Sequence, residues 1–121
     1  MLNYNIKGTD LSINDEVRAY IDKRLLHVEK FVQGDQSMRL DVELHYLQDG
    51  RSGKYRAEFT LLFDGTVYRA EHWGGALNES IDLGIGDLVA ELRKAKQKRV
   101  HALRRGAQKV KDYLRGWRDT I

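Results

Sequence analysis

Between Met38 and Trp73 the chain switches between apolar and polar at almost every residue, in three successive stretches. Met38, Leu40, Val42, Leu44 and Tyr46 alternate with Arg39, Asp41, Glu43 and His45. Tyr55, Ala57, Phe59, Leu61 and Phe63 repeat the pattern. From Thr66 to Trp73, Tyr68 and Ala70 fall on one side, Arg69 and Glu71 on the other. A period of two places alternate side chains on opposite faces of a strand, so these stretches read as strands with one wet face. Gln48 to Gly53 reads as a polar loop. Asp64-Gly65 reads as a hairpin turn, because a type I′ turn needs positive φ at both central residues. Such a meander has one apolar face that other elements must cover.

The flanking segments supply those elements. Residues 2–6 alternate weakly and stop at Lys7-Gly8, which suits a short first strand. Asn14 is placed to cap a helix, and Asp15 and Glu16 put negative charge where the helix dipole favours it. Val17, Ile21, Leu25, Val28 and Val32 form its core stripe, and Gly34 ends it. From Ala76 the period becomes helical again. Leu77, Ile81, Ile85, Leu88, Leu92 and Ala95 mark one stripe, continued more weakly by Leu103, Ala107, Val110 and Leu114. Gly84 and Gly86 each cost about 1 kcal/mol relative to Ala inside a helix, which suggests close approach to the sheet. Gly106 is a candidate end or bend.

The expected fold is α+β, in the order β-α-β-β-β-α. One four-stranded sheet has two helices packed on one face, and the second helix is long and projecting. A crossover helix favours a parallel first pair, and the hairpins give antiparallel neighbours. One domain is expected, with residues 1–99 as its α+β body and 100–121 as a basic helical extension of it.

Charge separates these parts. The 121 residues sum to +3, but residues 1–92 hold 10 basic and 16 acidic side chains, net −6. Residues 93–121 hold 11 and 2, net +9. Arg93, Lys94, Lys96, Lys98, Arg99, Arg104, Arg105, Lys109, Lys111, Arg115 and Arg118 crowd one segment. Carboxylates at i,i+4 spacing are nearly absent there, whereas a solvated helix face usually mixes signs. The segment therefore reads as a phosphate-contacting surface, which supplies affinity and salt dependence rather than base readout. Arg18, Lys23, Arg24 and Lys30 on the first helix read more simply as a solvated face. They gain weight if that helix lies beside the basic one.

Other chemistry finds little support. There is no Cys, which excludes disulfides and thiolate metal sites. His27, His45, His72 and His101 fall on different elements with no metal-ligand spacing. Asp41, Glu43 and Glu58 look like a wet sheet face rather than a catalytic pair. Gly74-Gly75 precedes a helix, but no Walker or dinucleotide pattern follows it. Trp73 and Trp117 have the rings to stack on bases, although packing at a strand end suits Trp73 better. No enzyme activity, cofactor, metal or small-molecule substrate is expected. Met1-Leu2-Asn3-Tyr4-Asn5 lacks the regions of a signal peptide, and no apolar run approaches a membrane span. A cytoplasmic protein without a membrane partner follows as the expectation.

Several stretches resemble a known family. Asn5-Ile6-Lys7-Gly8, Leu11-Ser12-Ile13-Asn14, Val17 to Leu25 and Val28-Glu29-Lys30-Phe31 are similar to the opening of the bacterial ribosome hibernation promoting factors. These are also described as ribosome-associated inhibitors, or sigma-54 modulation protein-like. Tyr68-Arg69-Ala70-Glu71, Ile81-Asp82-Leu83, Asp87-Leu88 and Arg93 to Lys98 match later parts, over about residues 3–99. The resemblance implies binding to the small ribosomal subunit and its 16S-type rRNA, near the decoding channel used by tRNA and mRNA. It implies silencing of translation under stress or in stationary phase. By position it assigns rRNA contacts to Arg18, Lys23, Arg24 and Lys30, and to Arg93, Lys94, Lys96 and Lys98. Arg99, Arg104 and Arg105 extend that run. A monomer is expected, with no pairing through a separate C-terminal domain. Two other readings stay open: a double-stranded RNA-binding domain, and an interaction protein whose basic helix binds an acidic partner.

Overall fold

The computed structural model describes residues 2–49 and 52–119. Six elements follow in the order β1 Asn5–Thr9, α1 Asp15–Val32, β2 Arg39–Asp49, β3 Ser52–Phe63, β4 Thr66–Gly74 and α2 Leu77–Asp119. The strands form one sheet in the order β1-β2-β3-β4. β1 runs parallel to β2, and the two hairpin partners run antiparallel. The chain divides into two compact units, Met1–Glu91 and Leu92–Ile121. The division falls inside α2.

In the first unit, alternation decides the core. Leu40, Val42, Leu44, Ala57, Phe59, Leu61, Tyr68 and Ala70 all turn to one sheet face and are buried. Ile21, Leu25, Val28 and Val32 from α1 and Ile81, Ile85 and Leu88 from α2 cover that face. Asn14 caps α1: its side-chain oxygen accepts from the Val17 N–H at 2.9 Å. The helix ends at Val32, and Gly34 takes φ +82° just beyond. Asp64 and Gly65 adopt φ +52° and +74°, the backbone that a two-residue hairpin needs.

Among the described residues, Ser80 is the one buried polar side chain of this core. Its hydroxyl lies 2.8 Å from the Tyr55 carbonyl and 3.1 Å from that of Ala76. It ties the first turn of α2 to β3.

The structure corrects four boundaries. β1 begins at Asn5 and runs through Lys7 and Gly8 to Thr9, rather than ending there, because each of its residues pairs with one of Asp41–His45. A Cβ at Gly8 would sit 2.2 Å from the Leu11 carbonyl oxygen, so glycine marks a close approach rather than a break. The β2–β3 loop is shorter than expected, with Gln48 and Gly53 paired inside the ladder. The Tyr46 ring occupies the space a side chain at Gly53 would need. Finally, α2 passes through Gly106 without ending. The helix start after Gly74-Gly75 falls at Leu77, one residue from the expected place. No helix among the described residues is long and apolar enough to cross a membrane.

Candidate nucleic-acid interface

Among the described side chains of α2, Leu92 is the last that is buried. From Arg93 to Arg105 every described side chain is exposed, except half-buried Ala95. Arg93, Lys94, Lys96, Lys98, Arg99, Arg104 and Arg105 are therefore all open to solvent. At about 100° per residue they surround the helix rather than line one face. Arg99 follows Leu92 by two turns, where a continued core stripe would place an apolar residue. Among the described residues, Arg93, Lys96, Lys98, Arg104 and Arg105 have no carboxylate within ion-pair reach. Lys109, Lys111, Arg115, Arg118 and Trp117, and the weak stripe at Leu103, Ala107, Val110 and Leu114, lie outside the described side chains.

The four candidates on α1 separate into two kinds. Lys23 and Lys30 are exposed opposite the Ile21–Leu25–Val28–Val32 stripe, with His27 between them on the same outward line. Arg18 is exposed on the flank. Arg24 is different, because its charge is already engaged. Its Nε lies 3.1 Å from Asp82 Oδ1, its Nη2 donates to the Tyr20 hydroxyl at 3.3 Å, and its guanidinium sits 5.0 Å from the Tyr20 ring centre. The Tyr20 hydroxyl in turn reaches both Asp82 oxygens at 2.8 and 2.9 Å. Burial and the Asp82 bond both push the Tyr20 pKa up, so the hydroxyl stays protonated as a donor. This triangle joins α1 to the second turn of α2. The family resemblance assigns Arg24 to rRNA by position, and its partner Asp82 is distant in the chain. The Tyr20–Arg24 spacing of one helical turn is the only local sign of the cluster.

A second tether holds the helix near the sheet's N-terminal edge. The Tyr4 hydroxyl donates to Asp22 at 2.6 Å, and burial together with Asp22 pushes its pKa up to about 12.

The other sheet face is wet and charged. Along one row Lys7, Glu43, Glu58 and Glu71 stand side by side across β1 to β4. Arg56 and Arg69 both bond Glu58, and Arg56 also bonds Glu71 at 2.8 Å. Burial alone would raise the Glu58 pKa, but the bonds from Arg69 and Arg56 outweigh it and hold the carboxyl below its usual value. Arg56 does the same for Glu71, and Asn5 and Arg39 for Asp41. These acids stay ionised, each held by its hydrogen-bonding and ion-pair partners.

Their titration has a consequence for stability. A folded pKa below the unfolded one contributes stability that is complete above the unfolded value, about 4 for a carboxylate, and lost as pH falls through the folded value. We expect the urea midpoint to hold near neutral pH and drop below about pH 4, with a shallower drop in Glu58→Gln. An equally steep drop in that variant would remove Glu58 from this role.

The histidines sit apart. His72 bonds Asp87, while His45 lies 3.9 Å from Asp10 with its ring 6.2 Å from that of Trp73. No three His, Asp or Glu side chains converge as a metal site among the described residues. Trp73 is 43% exposed on the open sheet face, with its Nε1 donating to Glu71 at 3.2 Å, rather than packed at the strand end.

Fold and surface together define a β-α-β-β-β-α domain whose last helix carries an exposed basic run. The chain belongs to the Sigma 54 modulation protein / S30EA ribosomal protein family, whose model matches residues 4–100. A ribosome hibernation promotion factor of Picosynechococcus is 31% identical over 94 residues, covering 77% of this chain and 48% of its own length. One from Lactococcus lactis is 26% identical over 96 residues, covering 79% and 50%. The chain thus spans about half the length of these relatives. The N-terminal domain of Protein Y from Thermus thermophilus superposes with a TM-score of 0.65 at 26% identity, covering 78% of this chain and 98% of that one. A ribosomal subunit interface protein from Coxiella burnetii shares the fold, with a TM-score of 0.62 at 17% identity.

Proposed function

We propose that this chain binds the small ribosomal subunit in the cytoplasm, beside the decoding and tRNA–mRNA channel. There it silences translation as a hibernation factor. The observation that carries the reading is the run from Arg93 to Arg105, basic on all sides and exposed, on a family fold. A helix charged around its circumference suits a groove walled by phosphate on more than one side. Lys23, Lys30 and Arg18 add contacts from α1, while Arg24 acts as a clamp through Asp82. One copy acts per subunit, without catalysis. The family names given to the relatives support the ribosomal partner.

The double-stranded RNA-binding reading fares worse. That module presents cations where its last helix begins, and α2 begins with Asn78, Glu79 and Asp82.

The test is co-sedimentation with purified small subunits over a salt series. We expect log affinity to fall linearly with log salt, with a slope set by the number of phosphates neutralised. Recovery at the top of the gradient in low salt would overturn the proposal. Equal affinity for an unrelated RNA duplex would favour the alternative module.

A further inference from the structure

The strand order leaves β4 at an edge of the sheet. The hairpin geometry says which of its backbone groups face outward. Phe63 and Thr66 flank the two-residue turn and are directly paired, so they exchange both main-chain bonds. Pairing then alternates along the ladder. The N–H and C=O of Thr66, Tyr68, Ala70 and His72 turn to β3, and those of Val67, Arg69, Glu71 and Trp73 turn outward.

Those four residues also share the open face of the sheet, and their order is symmetric about Ala70. Val67 and Trp73 lie three residues to either side and are 60% and 43% exposed. Arg69 and Glu71 lie one residue to either side, with side chains 65% and 45% exposed. An exposed edge is usually blunted by charge, which repels a second copy wherever like charges meet. Here an antiparallel copy centred on Ala70 would set Arg69 opposite Glu71 and Val67 opposite Trp73, each twice. Opposite charges and aromatic–β-branched pairs are the favourable cross-strand combinations.

We propose that the β4 edge is a self-association surface, pairing antiparallel with the β4 edge of a second copy of this chain about a two-fold axis at Ala70. Two four-stranded sheets become one continuous sheet, joined by about eight main-chain hydrogen bonds from the outward groups. Ala70 suits the axis. In that register it forms a non-hydrogen-bonded pair with itself, where side chains come closest, and it carries only a methyl group. The charged side chains retain capacity for the partner. Glu71 uses Oε1 for both Arg56 and Trp73, which leaves Oε2. Arg69 spends Nη2 on Glu58 and keeps the rest of its five-donor fork. The sequence alone leads to an expectation of a monomer; this edge gives the free chain a different one. It concerns β4 and not the basic run, so it stands or falls apart from the ribosomal reading.

The test is a charge swap read by sedimentation equilibrium from micromolar to millimolar protein. The native chain should show a concentration-dependent dimer. Arg69→Glu alone sets Glu against Glu, and Glu71→Arg alone sets Arg against Arg, so each should be monomeric over that range. An equimolar mixture of the two restores both opposite-charge pairs and should dimerise as a heterodimer. In the native chain, hydrogen exchange at the Val67, Arg69, Glu71 and Trp73 amides should slow as concentration rises. Native protein that stays monomeric with concentration-independent exchange at these amides would overturn the proposal. So would single variants that dimerise as well as the native chain, or a mixture that does not associate. The exchange measurement needs no variant, so it decides the matter even if a substitution impairs folding.

Discussion

Reversing charge at Arg93, Lys94, Lys96 and Lys98 together is expected to abolish association with the small subunit while leaving the sheet and its two covering helices folded. All four side chains are exposed, so none contributes to the buried core. Every phosphate that goes unneutralised should flatten the plot of log affinity against log salt by about 0.7 to 0.9. Reversal adds repulsion from the same phosphates, so the weakening should exceed that of four alanines. Unchanged circular dichroism and an unchanged urea midpoint would show that the fold persists. Arg24→Ala supplies the contrast. It removes the clamp to Asp82 and Tyr20, so it should lower the melting temperature and leave the salt slope nearly unaltered. If the four-residue reversal leaves subunit binding intact, the footprint on α2 is wrong. A slope that drops in Arg24→Ala by as much as in a Lys23→Ala control would return Arg24 to the RNA surface.

The second large effect concerns two glycines a half-turn apart. In an exposed helix, Gly→Ala stabilises by about 1 kcal/mol through reduced chain entropy. Gly86 is exposed, and nothing lies within 4 Å of the Cβ it lacks, so Gly86→Ala should realise that gain. At Gly84 a Cβ would stand 2.6 and 2.9 Å from two ring carbons of Phe59. Phe59 is fully buried, so its ring yields only by displacing the core around it. Overpacking of this kind costs about 1–3 kcal/mol, which should outweigh the helix gain. We therefore expect Gly84→Ala to melt below the native chain and Gly86→Ala above it, by several degrees each. A Gly84→Ala variant as stable as the native chain would show that α2 does not rely on this approach to β3.

These glycines also show where the sequence stops being legible. Asn14, Gly34 and Asp64-Gly65 are legible because a cap and a tight turn are decided by a few neighbouring residues. The alternation from Met38 to Trp73 is legible because one buried face imposes a period. Gly8 and Gly53 look like breaks in the chain, yet each sits inside a ladder. The reason is a tertiary neighbour, the Leu11 carbonyl in one case and the Tyr46 ring in the other. Gly84 and Gly86 are indistinguishable in the chain and opposite in the fold. The same holds for the basic residues. That Arg93 to Arg105 are exposed follows from their density, but Arg24 differs from Lys23 only because Asp82 arrives from another helix.

The exposure of the basic side chains from Arg93 to Arg105 has a thermodynamic consequence. Between Arg93 and Arg105 the described side chains are exposed apart from half-buried Ala95, and an isolated helix of about that length is marginal in water. Lys94 and Lys98 stand one turn apart, a spacing at which like charges oppose the helix. A polyanion that screens them strengthens the same hydrogen bonds that order the segment. Helix content in this stretch should therefore be an adjustable quantity, higher at low temperature and in the presence of phosphate chains. Part of the heat of binding would then be heat of helix formation, with a heat-capacity change that a rigid-body contact of the same area would not show.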